Sequence, residues 1–253
     1  MNDFIIKIMQ VDERLGNCMS GETENDRIPS VPGEFFDART KEDQVADFLR
    51  EEIISGRIPR GTRLKQAEIA GRLRTSITPV REALKLLEAE GYVTGNSYRS
   101  PTVAPFDVAA SAEILNLRIL LETSLVRSAV EKFSAHHLSD LRLLAAEFEN
   151  AVLRKDSFSA QGLNYRFHRR LYGIAELPQT LHFVQILWAR YAFDLIHKIE
   201  GRAERAVAEH SELLEKMSSG DAAGAVLATQ RHIESGWEEL RKVLSPERTP
   251  TAQ

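Results

Sequence analysis

The chain has 253 residues, of which 43% are hydrophobic, so it is long enough for one large domain or two small ones with a filled core. Its formal net charge is −4, yet residues 57–99 hold nine Lys and Arg against four Asp and Glu, so this segment has a local charge of +5 and the rest of the chain has −9. Such a distribution of charge is typical of a small nucleic-acid-binding module attached to an acidic domain, although an ordinary solvated surface also produces it. The chain has a single cysteine, Cys18, which argues against a disulfide-stabilised protein. It has no apolar run near the roughly 18 residues that span a bilayer, which argues against a membrane-spanning protein. Both observations favour a cytoplasmic protein.

The first 40 residues are predicted to form a flexible arm. They show no sustained hydrophobic period, and Gly, Pro, Ser, Asn and acidic residues dominate residues 16–33. The short apolar stretch at residues 4–8 lacks the basic start of a signal peptide, so we expect no secretion signal.

Three short helices are predicted between residues 41 and 91. The first begins near Lys41 and ends at Gly56, and the second spans about residues 66–73. The third begins at Thr78, whose hydroxyl suits an N-cap, with Pro79 in its first turn and Gly91 at its end. The apolar residues that repeat at helical spacing are Val45, Phe48, Leu49 and Ile53 in the first helix and Val80, Ala83, Leu84 and Leu87 in the third.

A β-hairpin is predicted to follow the third helix. Residues 92–94 and 102–104 are β-prone, and the intervening residues include Gly95-Asn96 and Ser100-Pro101, which favour turns. Three helices and a hairpin within about 65 residues are typical of a winged helix-turn-helix, which we assign to residues 41–105.

The remaining sequence, residues 106–245, predicts an all-α antiparallel helical bundle. Asp107 suits the N-cap of its first helix, and helical periodicity continues to Ser245 with almost no strand signal. Breaks at residues 134, 156–157, 177–178, 200–201 and 218–221 predict six or seven helices with short connections. A tail of residues 246–253 completes a chain that is expected to be mainly α.

The strongest motif is TSITPVREALKLLEAEGYV at residues 75–93. With its flanks, from about Val45 to Val103, it resembles the signature of the GntR family of bacterial transcription regulators. The resemblance implies that the third helix enters the major groove of operator double-stranded DNA with its N-terminal residues against the base edges.

Eight residues are predicted to contact DNA. Arg81, one turn into the third helix and away from its buried face, can reach a guanine through two hydrogen bonds. Ser76 and Thr78 suit phosphate or thymine contacts, and Ile77 offers an apolar contact to a thymine methyl. The remaining candidates are Lys65, Arg72 and Arg74, for phosphates, and Arg99 of the wing, for the minor groove.

Two departures from the family pattern mean that the operator sequence of other family members cannot be assigned to this chain. Family members commonly have Arg where Ile77 stands, and the wing glycine is replaced by Ser100. An alternative also remains for Arg81, which could pair with Glu82 or Glu88 instead of a base.

The second domain resembles the FCD ligand-binding domain of the FadR subfamily. The resembling pieces are Leu117–Glu122, Asn164–His168, Glu209-His210 and Arg231–Ile233. In many such domains a divalent metal is held by an Asp or Asn, a His four residues later, and one His from each of the last two helices. The resemblance therefore implies a metal site at Asn164, His168, His210 and His232.

The residues support the same hypothesis independently. Asn164 and His168 are four residues apart and share a helix face, whereas His210 and His232 lie on the last two predicted helices. Three converging imidazoles suit Zn, Ni or a similar cation with positions left open for a ligand. For any one histidine alone, a core or surface role would be the better interpretation. We therefore assign no functional role to the remaining histidines.

A small organic acid is the predicted effector. The amide of Asn164 donates less charge than a carboxylate would, so the site should stay cationic and favour an anion. Arg118 matches an FCD arginine that faces the effector pocket, although an ion pair with Glu122 on the same helix is an open alternative.

These observations predict a homodimeric, ligand-responsive DNA-binding regulator. Repression that the ligand relieves is the commoner arrangement in the family, so we expect a repressor. A regulator that responds to metal alone, and a metal with only a structural role, remain open alternatives. A helical-bundle metal hydrolase is disfavoured because no HExxH or other suitably spaced carboxylate accompanies the histidines, so we do not expect an enzyme.

Overall fold

A computed structural model describes residues 40–95, 101–196 and 199–244, and within these ranges the chain forms ten helices and one two-stranded sheet. The predicted arm, the wing residue Arg99, His197 and the predicted tail lie outside the described residues. No described helix is long and apolar enough to cross a bilayer.

The N-terminal unit contains three helices and the hairpin. Their bounds are α1 Lys41–Ile54, α2 Gln66–Arg72, α3 Ile77–Glu90, β1 Val93–Thr94 and β2 Thr102–Val103. The hydroxyl of Thr40 accepts from the backbone N–H of Asp43 and caps α1, and Gly56, with φ 81°, turns the chain away after its end. The predicted buried face of α3 is confirmed, since Val80, Ala83, Leu84 and Leu87 are all buried against α1.

The start of α3 differs from the prediction. Ser76, in an extended conformation, is the N-cap, and Thr78 already lies within the first helical turn. Both residues carry a hydroxyl, so the sequence did not distinguish them. Pro79 still lies in the first turn, where its missing N–H needs no partner.

The hairpin is confirmed as an antiparallel pair, with Val93 opposite Val103 and Thr94 opposite Thr102. Arg63 forms an additional bridge to Thr102, which ties the hairpin to the segment before α2. The hairpin thus covers one end of the three-helix core, where Tyr92 and Val103 are buried.

The C-terminal unit is an antiparallel helical bundle. Its helices are α4 Ser111–Glu131, α5 Ala135–Leu153, α6 Ser157–Gly173, α7 Pro178–Ala189, α8 Phe193–Ile196, α9 Arg202–Ser218 and α10 Ala222–Leu244. Helix α4 packs on α10 and α7, and α5 packs on α6 and α9. The predicted breaks are confirmed because Ser134 and Asp156 cap α5 and α6 through their side chains, and Gly201 and Gly220 have positive φ.

Asp107 does not cap α4 as predicted. Its carboxylate accepts from the backbone N–H of Ala109, which stabilises a turn, and the helix begins only at Ser111 after Ala110. The predicted cap is therefore wrong, because Ala110 occupies the N-cap position and offers no side-chain hydrogen bond.

The two units share one hydrophobic core. A single cluster of buried residues runs from Leu49 in α1 through Leu87 in α3 to Trp188 in α7. The hydroxyl of Tyr92 donates to the backbone carbonyl of Gln185 at 3.0 Å. The units are therefore packed together and not merely joined by a linker.

Candidate functional site

The start of α3 is an exposed polar surface. Ser76, Ile77, Thr78 and Arg81 are all exposed, Ile77 to 49%. The hydroxyl of Ser76 makes no capping hydrogen bond, so no side chain of the N-cap occupies the first backbone N–H groups of the helix. A helix start of this kind attracts phosphate through those N–H groups and the helix dipole.

The other predicted DNA contacts lead into this surface. Lys65 is exposed directly before α2 and its Nζ lies 2.9 Å from Glu68, whereas Arg72 is half-buried at the end of α2. Arg74, in the turn between α2 and α3, is exposed and has a φ of 51°. Arg81 contacts Glu82 at 3.2 Å, as the alternative proposed, but both side chains are solvated and such exposed pairs are weak.

Three histidines from three helices converge inside the bundle. His168 of α6, His210 of α9 and His232 of α10 each offer a ring nitrogen, and these atoms lie within 4.8 Å of one another. The Nε2 atoms of His168 and His210 are 3.2 Å apart. Among the described residues, this is the one group of three or more His, Cys, Asp or Glu side chains with metal-ligating spacing.

The environment of the three histidines suits a metal ion. Burial lowers the pKa of His168 and His210 well below the usual range, and the charge of His232 adds to this, so both rings are neutral and have a lone pair to donate. The Nδ1 atoms of both rings are buried without a hydrogen-bond partner among the described residues. Two nitrogen ligands of a tetrahedral Zn ion lie about 3.3 Å apart, which the observed Nε2 separation matches.

Glu209 and Arg202 adjoin His232, and the sequence analysis assigned neither of them to the candidate site. The carboxylate of Glu209 lies 2.5 Å from Nδ1 of His232 and accepts two hydrogen bonds from Arg202, at 2.8 and 3.0 Å. Although burial opposes ionisation, the hydrogen bonds from His232 and Arg202 lower the pKa of Glu209. A carboxylate on Nδ1 fixes the tautomer that directs Nε2 toward a metal.

Two adjoining cavities border the histidines. One has a volume of about 60 Å³ and the other about 20 Å³, and both are lined by Asn164 and His232, with His168 in the wall of the smaller one. Asn164 is half-buried one turn before His168 on α6, so the predicted amide ligand lies on the same side of the helix as the histidine.

Arg118 forms the ion pair with Glu122 that the sequence analysis left open, and its role toward an effector stays a prediction. Its Nε donates to Glu122 at 2.7 Å, and its guanidinium lies over the rings of Tyr191 at 4.3 Å and Phe193 at 4.9 Å. It also lines both cavities. Glu122 in turn accepts from the hydroxyl of Tyr172 at 2.8 Å and the indole of Trp188 at 3.0 Å, which holds the arginine in place.

The helix that carries His168 also contacts the N-terminal unit. Arg169 donates to Asp47 at 2.8 Å and Arg166 donates to Glu51 at 2.8 Å, both on α1. Asp47 also pairs with the buried Arg50, whose guanidinium donates twice to Glu90, at 2.9 Å, at the end of α3. A chain of charged contacts therefore connects the helix that carries His168 to the helix that is predicted to read DNA.

A second connection runs from the cavity wall. The segment of Tyr191 and Phe193 lines the larger cavity, and Asp194, the next residue, pairs with Arg60 at 2.9 Å. Arg60 belongs to the N-terminal unit and also donates to the backbone carbonyls of Tyr191, at 2.8 Å, and Ala104, at 3.1 Å.

Comparison with protein families accounts for both units. Residues 41–103 match the family described as bacterial regulatory proteins, gntR family, and residues 113–235 match the FCD domain.

Several known sequences are similar over most of the chain. The uncharacterized HTH-type transcriptional regulator YdhC of Bacillus subtilis is 24% identical over 209 residues, which cover 79% of this chain and 91% of YdhC. The HTH-type transcriptional regulator McbR of Escherichia coli is 28% identical over 169 residues, 67% of this chain and 76% of McbR. A probable D-xylose utilization operon transcriptional repressor of Paenarthrobacter nicotinovorans is 25% identical over 195 residues, 75% of this chain and 84% of the repressor.

A solved structure shows the same fold. Escherichia coli McbR/YncC superimposes with a TM-score of 0.73 at 22% identity, covering 82% of this chain and 100% of McbR.

Proposed function

We propose that this chain, which belongs to the gntR family of bacterial regulatory proteins and carries an FCD domain, is a repressor. A small organic acid, bound beside a divalent metal ion, releases it from its operator. The two family matches make the chain a DNA-binding transcriptional regulator and not an enzyme. The observation that carries this proposal is the buried cluster of His168, His210 and His232, of which His168 and His232 line the adjoining cavities. The larger cavity is also lined by Tyr191 and Phe193, whose segment contacts Arg60 of the N-terminal unit.

His168, His210 and His232 are the residues that would hold the ion, with Asn164 as a further ligand. When bound, the ion would supply positive charge and open coordination positions that attract a carboxylate. The protein contributes the orientation of the rings, since Glu209 holds His232 through Nδ1. Arg118, fixed by Glu122, would supply a second positive charge in the lining of the cavities.

Two contacts support transmission of the binding event to DNA. An acid in the cavity touches the segment that carries Asp194, and Asp194 holds Arg60 of the N-terminal unit. The ion is held by α6, whose Arg169 pairs with Asp47 of α1. A coupling free energy of about 1–3 kcal/mol between the sites is enough to release an operator.

A homodimer is part of the proposal. A two-fold protein matches a palindromic operator because each N-terminal unit then reads one half-site. Leu117 and Leu120 are exposed on the bundle and offer a surface for such pairing.

A regulator that responds to metal alone is the second candidate. The ligands come from three different helices, so binding of the ion would itself tighten the bundle. Operator affinity that changes with metal and does not change further with any acid would select this second candidate.

The metal site is tested by elemental analysis of the purified full chain. We expect about one divalent ion per chain in the wild type, and none in the double variant His168→Ala with His210→Ala. His182→Ala is the matched control, because His182 is an exposed histidine of α7 and should leave the metal content unchanged. Stoichiometric metal in the double variant would refute the site.

The effector is tested by operator binding with and without metal. The metal-loaded protein should bind DNA more weakly when a small carboxylate is added, and the double histidine variant should lose this response while it still binds DNA. An acid response that persists without the histidines would contradict the proposed function.

A further inference from the structure

The two cavities form one site with two chemically different parts. Five residues line both of them: Arg118, Gln161, Asn164, Phe193 and His232. The shared region is polar and adjoins the histidines. The larger cavity extends away from them, so a ligand anchored at the metal would project its body into that extension.

The extension is mostly apolar. Its lining includes Phe148, Ala160, Ile196, Ala206 and Ile233, and its neutral polar groups are the hydroxyls of Ser157 and Tyr191. Arg202 is the charged residue there, and its guanidinium is already held by two hydrogen bonds to Glu209. Several ligand hydroxyls placed in this region would lose their bonds to water, and Ser157 and Tyr191 could replace only a few of those bonds, which is unfavourable.

Gln161 places an unused donor in the shared region. Its side chain is 7% exposed, and its Nε2 has no hydrogen-bond partner among the described residues. It lies three residues before Asn164 and seven before His168, on the same face of α6. A buried donor without an acceptor is destabilising, so a ligand atom that accepts from it would be favoured there.

We infer that the effector is a short monocarboxylate with an apolar, branched body and one hydrogen-bond acceptor beside its carboxylate, the chemistry of a 2-oxo acid with an aliphatic side chain, and that Gln161 recognises the acceptor. This inference rests on the proposed function, because it assumes an acid beside the metal. It excludes polyhydroxylated acids, whose hydroxyls would lie in the apolar extension.

Gly236 offers a way to shorten the extension without disturbing the fold. It lines the larger cavity, and a Cβ added there would lie 3.7 Å from Arg202 and 4.0 Å from Ile196, which is ordinary van der Waals contact. Alanine also favours the interior of helix α10 more than glycine does.

Calorimetric titration of the metal-loaded full chain tests the inference with defined probes. 3-Methylbutanoate and 2,3-dihydroxypropanoate have the same charge and the same number of non-hydrogen atoms, and 3-methyl-2-oxobutanoate adds one acceptor to the former. We expect 3-methyl-2-oxobutanoate to bind about tenfold more tightly than 3-methylbutanoate. The dihydroxy acid should bind most weakly.

Two variants separate the parts of the site. Gln161→Met removes the donor at similar volume and should reduce the preference for the oxo acid over 3-methylbutanoate to about one, within twofold. Gly236→Ala should weaken 3-methyl-2-oxobutanoate but leave 2-oxopropanoate, which lacks the branched body, unaffected.

The possible failures differ from one another. If 2,3-dihydroxypropanoate binds as tightly as the oxo acid, the inference is overturned while the proposed acid response stands. A preference for the oxo acid that survives in Gln161→Met overturns the role of Gln161. If none of the acids tested binds the metal-loaded protein and operator affinity follows metal alone, the proposed function fails and the inference fails with it.

Discussion

Arg81 and Ile77 stand side by side at the exposed start of α3, and they differ in what they can recognise. The guanidinium can make two hydrogen bonds to a guanine, whereas the isoleucine can only make apolar contact, as with a thymine methyl group. The contact of Arg81 with Glu82 is solvated on both sides and competes weakly with DNA.

Arg81→Ala is therefore expected to relax the choice of base at one position, with a loss of about 1–3 kcal/mol of discrimination. Lys65→Ala should instead weaken binding to all DNA about equally and reduce the slope of the salt dependence by about 1. Fluorescence anisotropy with operator and random duplexes at several salt concentrations measures both effects. Lys85→Ala, an exposed lysine of α3 paired with Glu82, is the control. Equal losses of specific and nonspecific binding in both variants would contradict this division.

Glu209 would act on the proposed metal site through His232, without touching the ion itself. Glu209→Gln removes the charge that stabilises the Nδ1–H tautomer of His232, so metal affinity should fall about 10- to 100-fold. Competition with a chelator of known affinity measures this change. Glu212→Gln is the matched control, since Glu212 lies on the same helix and pairs at the surface with Arg231. Equal metal affinity in the two variants would remove Glu209 from the site.

At the scale of whole elements, α1 is the link between the two units. Asp47 and Glu51 on this helix pair with Arg169 and Arg166 of α6, and Arg50 pairs with Glu90 at the end of α3. The same helix thus receives contacts from the helix that carries His168 and holds the end of α3.

Glu90→Ala should destabilise the fold, because it leaves the guanidinium of Arg50 buried with Asp47 as its remaining carboxylate partner in the pair. Removing one partner of a buried ion pair is strongly destabilising, and we expect a loss of about 3 kcal/mol in the free energy of unfolding. Urea denaturation followed by circular dichroism measures it. Glu88→Ala, an exposed glutamate of the same helix, should change stability by less than about 0.5 kcal/mol. Similar stability of both variants would mean that the pair contributes little.

The second link, between α8 and the segment before α2, is expected to carry the effector signal. Asp194→Asn removes the charge that holds Arg60 but leaves the bond from Arg60 to the carbonyl of Tyr191. The variant should bind operator about as well as the wild type, within roughly threefold, yet lose most of its response to 3-methyl-2-oxobutanoate. Asp140→Asn, which breaks a surface pair with Arg170 within the bundle, is the control. An unchanged response in Asp194→Asn would exclude this route.

Local signals made the elements predictable, and long-range contacts escaped prediction. The ends at Ser134, Asp156 and Gly91 were readable because a cap depends on neighbouring residues. The start of α3 was not, since Ser76 and Thr78 are chemically alike and only the backbone conformation decides between them.

The same limit applies to the sites. The convergence of the histidines was predicted from helix spacing and a family resemblance. The contact between Glu209 and His232 joins two helices and depends on how each is rotated, and Arg60 and Asp194 are 134 residues apart. The periodicity of the sequence does not predict such long-range pairs.

At the scale of the whole molecule, the shared core packs the two units together, and the proposed homodimer requires a further surface on which two chains would pair. Leu117 and Leu120 are exposed on α4, Leu120 to 65%, and α4 packs beside α7, where Phe183 is also exposed. Large apolar side chains repeated along one helix face are typical of a protein interface.

Leu120→Glu is accordingly expected to shift the protein toward monomers and to weaken operator binding, because a monomer engages one half-site only. Sedimentation velocity over a range of concentrations measures the change in association. Leu143→Glu is the matched control, since Leu143 is equally exposed but lies on α5. A dimer that survives Leu120→Glu would place the interface elsewhere.

The indole of Trp188, which donates to Glu122 beside Arg118, has a practical consequence. The chain has two tryptophans, and the other, Trp237, lies with its ring 6.4 Å from that of Tyr191. Both fluorophores thus sit next to residues of the cavity wall. The intrinsic tryptophan fluorescence of the unlabelled protein should therefore report the entry of a ligand into the cavity.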